Sequence, residues 1–262
     1  MAVTNFIQQI WSKNIQDDLE LKCKLVDNCL RDYEGDCKYA QSVKILGVGE
    51  PTIGKYDGSK DISIEEMSDK GQILTIDQAN YFAFYVDDVN QAQSVPGLKE
   101  KYQEKAVHGL AVARDTYVAE LIAAASNHTL VVMDAAAFKA GIDEAIVALR
   151  ERNFDEEGVI EITPAAYNLF KNHLITLSTN NPEYIKKGIV GVYDGFDVVM
   201  SNNLKTPGCV RGKKAIAFAG QINEVEALRS EHRFKDIIRG LDTFGAKVID
   251  ENRIQVLIVD EG

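Results

Sequence analysis

The stretch from Gly47 to Tyr56, GVGEPTIGKY, contains Gly49, four residues, then Gly54-Lys55, one residue short of a phosphate-binding P-loop. In such a loop, backbone N–H groups and a helix N-terminus cradle phosphates, the lysine reaches them, and a Ser or Thr hydroxyl holds the metal. Here Tyr56 stands at the hydroxyl position, Glu50 puts a negative charge inside the anion cradle, and Pro51 removes an N–H donor. The residues that follow, Asp57-Gly58-Ser59-Lys60-Asp61, are turn formers that start no helix. The stretch therefore predicts a loop between exposed strands, and a P-loop-like nucleotide-binding enzyme is only a remote alternative. The acidic pairs Glu65-Glu66, Asp87-Asp88 and Glu156-Glu157 could in principle act as general acids and bases or hold a divalent cation. Each lies at an element end, where carboxylates cap or face water. No H-E-x-x-H or G-x-S-x-G occurs, and none of the four histidines falls beside a nucleophile such as Ser201 or Cys209. His108 and His128 read as solvated or capping residues. Cys23, Cys29, Cys37 and Cys209 form no C-x-x-C pair and read as reduced packing residues or surface thiols. The sequence assigns no catalytic, cofactor-binding or metal-binding residue, so an enzyme is not expected.

The bounds on function agree. A chain of 262 residues buries a large core as one big domain or two modest ones. Its net charge of −11 is spread, with Lys and Arg scattered among acids, so the basic footprint of sequence-specific nucleic-acid binding is absent. No apolar run reaches the length of a membrane span, and the N-terminus, with Asn5, Gln8 and Gln9 among its apolar residues, lacks the regions of a signal peptide. Synthesis in the cytoplasm and no membrane partner are expected.

Several elements carry these residues. Ile7, Trp11, Ile15, Leu19, Cys23, Val26, Leu30 and Tyr33 recur at steps of three and four and predict an N-terminal helix or helix pair, stopped near Gly35. From Ser42 to Val86 the pattern is extended and spaced by glycines, which predicts a long, largely two-stranded projection resting on something else. The stripe Leu98, Tyr102, Ala106, Leu110, Ala113, Tyr117, Leu121 and Ala124 predicts one helix from about Gly97 to Ala125, a spine of roughly 40 Å. A mixed α/β region follows. Asp134 caps a helix, GVIEI is a short buried strand, and TPAAYNLFKNHLITL is a helix with Thr163 as N-cap and Pro164 in its first turn. IVGVYDGFDVVMSNNL reads as a hairpin through Asp194-Gly195, and KAIAFAG as a strand. The last stretch, from His232 to Val259, is extended, with turn points expected at Gly240, Gly245 and Asp250-Glu251-Asn252.

The order of these elements, with RDYEGD (Arg31 to Asp36), VKI (Val43 to Ile45), the run from Thr52 to Gln93 and RFKDIIRGLDTFGAKVIDENRI (Arg233 to Ile254), resembles the major capsid proteins of tailed bacteriophages. The chain departs from that pattern at Ala40-Gln41-Ser42, where the family commonly has Gly-Asp before the VKI strand. The resemblance implies an α+β chain of the Hong Kong 97-type capsid fold. Its parts would be an N-terminal helical arm (1–41), an extended β-hairpin loop (42–76), a peripheral domain with the spine helix (77–130 and 226–262) and an axial α/β domain (131–225). It further implies a structural protein that assembles with itself into pentamers and hexamers of an icosahedral virion shell, with packaged DNA close by but not specifically bound. A scaffolding protein and a portal would be the other partners. A cellular nanocompartment shell of encapsulin type is the alternative. A Lys–Asn cross-link between subunits, from Lys55, Lys60 or Lys70 to Asn252, has no supporting motif.

Overall fold

The computed structural model describes residues 23–33, 42–45, 71–87, 98–177, 191–229 and 235–260. GVGEPTIGKY, Lys60, Lys70, Glu65-Glu66, Asp88 and the expected N-terminal helix up to residue 22 lie outside the described residues. In chain order the elements are β1 (Ser42–Ile45), β2 (Gln72–Thr75), β3 (Gln78–Asp87), α1 (Leu98–Ala123), β4 (His128–Val131), α2 (Ala135–Glu151), β5 (Gly158–Ile162) and α3 (Pro164–Leu177). They continue with β6 (Val192–Tyr193), β7 (Phe196–Met200), β8 (Gly208–Gly212), β9 (Ile216–Arg229), β10 (Lys235–Val248) and β11 (Ile254–Val259).

Local chemistry sets several of these boundaries as the sequence predicts. The Asp134 carboxylate accepts the Ala136 N–H at 3.2 Å and starts α2. The Thr163 hydroxyl accepts the Ala166 N–H at 3.4 Å, with Pro164 as the first residue of α3. Asp194 and Gly195 both have positive φ, 49° and 85°, as a two-residue hairpin turn with the twist of its strands requires. They pair β6 with β7 in register Tyr193 to Phe196.

The strands form three sheets. β3, β10 and β9 make an antiparallel sheet in that order, and β4-β11-β8-β5-β7-β6 make a mixed six-stranded sheet. β1 and β2 pair antiparallel, Ser42 opposite Thr75 through Ile45 opposite Gln72. Helices α2 and α3 cover one face of the six-stranded sheet, where Phe138, Ile142, Ile146, Ala166 and Phe170 meet Ile160, Ile162, Val210 and Leu257. On its other face Cys209, Ile254 and Val256 join a second core with α1, residues 23–29 and the inner face of the three-stranded sheet. Covered on both faces, β5 and β8 are buried along their whole length. Sheet membership crosses the boundaries that the sequence suggests: β9 begins at Ile216 yet pairs with β10, and β11 pairs with β4 and β8.

Three local expectations are corrected. Residues 23–33 do not continue a helix: they hold one 3-10 turn at Val26–Asn28, and Leu30 bridges to Ala217. The reason is tertiary, because the N–H groups of Lys24, Leu25 and Val26 donate to the Asp115 carboxylate. Gly240 and Gly245 are not turn points but lie within the 14-residue β10. Their missing side chains admit neighbours: a Cβ on Gly245 would stand 2.1 Å from the Thr75 carbonyl oxygen, and one on Gly240 2.5 Å from the Phe82 ring. The buried face of α1 is rotated from the expected stripe and follows Val107, Leu110, Ala111, Arg114, Asp115, Val118, Ala119 and Ile122. Tyr102 and Tyr117 flank that face, their rings 5.8 Å from Phe84 and 5.7 Å from Phe244. Hydropathy places a stripe through the tyrosines because it rejects the charged pair at the true centre.

Candidate functional site: an exposed sheet face and two buried ionic clamps

Side chains along β3 alternate, so its even-numbered residues face α1 and its odd-numbered ones face outward. Phe82 and Phe84 pack on the core, whereas Tyr81 and Tyr85 are 80% and 65% exposed. Register extends the outward row across the sheet: Tyr81 stands opposite Leu241, Tyr85 opposite Ile237, and Ile237 opposite Leu228. Leu228 and Leu241 are exposed as well. Two tyrosines and two leucines therefore lie on one outer face of three neighbouring strands, the composition of a contact surface more than of a solvated one. The 14-residue strands β9 and β10 reach about 45 Å at ~3.3 Å per residue, long for a single domain.

Behind that face the sheet is fixed to α1 by a buried ion pair. Arg114 Nε donates to Asp242 Oδ2 at 3.0 Å and its Nη2 to Oδ1 at 2.5 Å, with both side chains buried. The guanidinium lies 5.6 Å from the Phe218 ring and 5.9 Å from the Phe244 ring, so bidentate geometry and cation–π contact act together.

A second clamp joins three parts of the chain. β5 and β8 pair Glu161 opposite Cys209, which brings Arg211 onto the same face. Arg211 is fully buried; its Nε donates to Glu161 Oε2 at 2.9 Å and its Nη2 to Oε1 at 2.7 Å. The same guanidinium donates to the carbonyls of Asn28 at 2.8 Å and Leu25 at 3.0 Å. Glu161 also accepts from Asn28 Nδ2 at 3.0 Å and from the Cys209 thiol at 3.4 Å. Asp115, from the middle of α1, accepts the N–H groups of Lys24 (3.0 Å), Leu25 (3.1 Å) and Val26 (3.3 Å), and Asn203 Nδ2 at 3.4 Å. Burial pushes the Asp115 carboxyl above its ordinary value, and the donated N–H groups pull it part of the way back. Burial disfavours charge on Arg211, yet Glu161 more than offsets it and the guanidinium stays charged. Burial also pushes the Cys23 thiol up to about 12, with Asp115 adding to the rise, and the Cys29 thiol up to about 11. The Cys209 thiol is raised by burial and then by Glu161. Such thiols are packing groups, not nucleophiles.

The residues that the sequence offers for chemistry do not converge. Glu156 pairs with Arg253 at 2.5 Å and Glu157 with Lys213 at 3.3 Å, while Asp87 ends β3 opposite Lys235. His108 and His128 are exposed. Ser201 is buried and its hydroxyl accepts the Asn203 N–H at 3.3 Å. Asn252 sits in a capped 3-10 turn, where its N–H donates to Asp250 at 3.0 Å. Among the described residues no group of three His, Cys, Asp or Glu side chains could hold a metal ion, and no helix is long and apolar enough to cross a membrane. Sequence reasoning missed Arg114, Asp115, Glu161, Arg211 and Asp242. The available signal was a charge inside an otherwise apolar element: Glu161 in GVIEI, Arg211 in GCVRG, and Arg114-Asp115 amid the small and apolar residues of α1.

A long spine helix tied to an elongated antiparallel sheet, with a mixed sheet covered by two helices beside it, defines an α+β architecture without a catalytic centre among the described residues. No protein-family model matches the chain, and no curated protein does. Solved structures do match over most of its length. One from Mycobacterium phage Che8 is 26% identical, with a TM-score of 0.75 over 89% of this chain and 90% of that one. The capsid structure of the cyanophage P-SCSP1u is 15% identical, with a TM-score of 0.72 over 89% and 86%. A virus-like particle from Pyrococcus furiosus is 13% identical, with a TM-score of 0.60 over 96% and 99%. The chain has the Hong Kong 97-type major capsid protein fold.

Proposed function

We propose that this chain is a structural major capsid protein that assembles with copies of itself into the icosahedral shell of a tailed phage, and is not an enzyme. The observation that carries the reading is the match to phage structures over most of the chain: the shared region is about nine-tenths of this chain and of the Che8 chain alike. One of the matched structures is the asymmetric unit of a mature bacteriophage capsid. The finer parts are proposed on the same support. Residues 1–41 form the arm, 42–76 the extended loop, 77–130 with 226–262 the peripheral domain and 131–225 the axial domain. The β1–β2 ribbon, anchored by Val43, Ile45 and Leu74 against Ala217 and Ala219, is the base of the loop. The loop lies across the next subunit and buries surface that neither copy buries alone. The outward face with Tyr81, Tyr85, Leu228 and Leu241 is part of the contact between copies. A scaffolding protein and a portal complete the set of partners, and DNA is held by enclosure.

A cellular nanocompartment shell is the second reading, favoured by the 96% and 99% coverage of the Pyrococcus furiosus particle. The higher identity and TM-scores of the phage structures favour the virus. The test replaces Val48 to Ser68 with a short Gly-Ser linker. The subunit is expected to stay folded and to build no shells; normal assembly, or unfolding, overturns the loop assignment.

A further inference from the structure

We propose that Cys23–Leu30 is a releasable latch: an intramolecular strap that holds α1 against the six-stranded sheet and opens without unfolding either. Three parts of the molecule grip this segment. Asp115 of α1 takes three consecutive N–H groups, Lys24 to Val26. Arg211 and Glu161 of the six-stranded sheet hold the carbonyls of Leu25 and Asn28 and the Asn28 amide. At its far end the Leu30 N–H donates to the Ile216 carbonyl and the Leu30 carbonyl accepts from Phe218, both at 2.9 Å. The side chains of Cys23, Leu25, Val26 and Cys29 fill the same core as Val118, Ile122 and Val256.

The grip differs from that of the sheets in kind. Apart from the one bridge at Leu30, no ladder runs through the segment, and its helical part is a three-residue 3-10 turn. Besides the Leu30 bridge and its buried side chains, its polar hold comes from two separate carboxylates and one guanidinium, so loss of one group weakens it while the ladders of β5, β8 and β10 persist. Its place in the chain gives the latch a use. It lies between residues 1–22 and the β1–β2 ribbon that starts at Ser42, so tension on either side in an assembled particle acts on it. This use rests on the shell reading; the latch itself does not.

The segment carries its own reporters in the buried thiols of Cys23 and Cys29. The experiment uses the full chain with Cys37→Ser, unassembled, labelled with N-ethylmaleimide and mapped by peptide mass spectrometry. Asp115→Asn is expected to raise labelling at Cys23 and Cys29 at least tenfold while hydrogen exchange of the β10 amides is unchanged. Unaltered labelling, or β10 exchange that rises in step, overturns the latch. Should Asp115→Asn fail to fold, the unsubstituted chain decides. The Leu25, Val26 and Leu30 amides are expected to exchange through an opening less sensitive to denaturant than that of Ile238 to Ala246, and equal sensitivity overturns it. Under assembly conditions the unsubstituted chain is expected to form shells and Asp115→Asn to form few. Equal assembly overturns the use in assembly. If neither assembles while labelling separates them, the shell reading fails and the latch stands.

Discussion

Arg211→Met is the most demanding substitution that the structure offers. Arg211 gives Glu161 two charge-assisted hydrogen bonds, and without them the fully buried carboxylate keeps only Asn28 Nδ2 and the Cys209 thiol as partners. Breaking a buried pair by removing one member costs about 3–5 kcal/mol, because the other charge is left uncompensated. For a chain of this size each kcal/mol moves the melting temperature by roughly 2–4 °C, so the expected fall is about 6–20 °C. The assay is circular dichroism melting of unassembled subunits, with a urea titration to obtain the free energy. The double variant Glu161→Leu with Arg211→Met removes the stranded charge and is expected to regain most of the loss. It should remain about 1–3 kcal/mol below the parent, since the Asn28 carbonyl loses its guanidinium donor. A single variant within about 1 kcal/mol of the parent would mean that Glu161 is not left as a stranded charge, as would a double variant that is no better than the single.

Gly245→Ala is expected to lower stability by about 1–3 kcal/mol, since its Cβ would meet the Thr75 carbonyl oxygen, and urea titration measures it. An unchanged midpoint would mean that the β1–β2 ribbon is not seated on β10 as described. Tyr81→Ser with Tyr85→Ser alters outward side chains only, so the melting temperature is expected to stay within about 2 °C while assembly, followed by light scattering, is lost; full assembly would remove this face from the contact surface. The folded Cys23 and Cys29 thiols titrate above the ordinary thiol value, so their contribution to stability is complete below about pH 8.5 and is lost as pH rises toward 11 and 12. Urea midpoints are expected to fall across that window, and midpoints that rise there would contradict the buried, neutral thiols.

The helices and short strands were legible because their signals are local. Asp134 and Thr163 fix their helices through bonds to residues two or three positions away, and Asp194-Gly195 fix their turn through positive φ. The failures are all long-range. Cys23 to Tyr33 keeps helical spacing, but the carboxylate of Asp115, some 90 residues along the chain, takes the N–H groups that a helix would use. Gly240 and Gly245 look like turns until Phe82 and Thr75 are brought against them. The clamps were illegible for the same reason: Glu161 and Arg211 are separated by 50 residues, as Arg114 and Asp242 are by 128, and only strand register makes them partners. The outer sheet face could be read as alternation within β3, but its extension to Leu228 and Leu241 required the pairing of β10 with β9.

A shell protein must close a particle from copies of itself. Electron cryomicroscopy of the purified full chain, alone and co-expressed with a candidate scaffolding protein, is the decisive measurement. Closed icosahedral particles are expected, with subunits that place the β3–β10–β9 face against a neighbouring copy. Chains that remain monomeric under both conditions, or particles in which that face looks onto solvent, would contradict the shell reading.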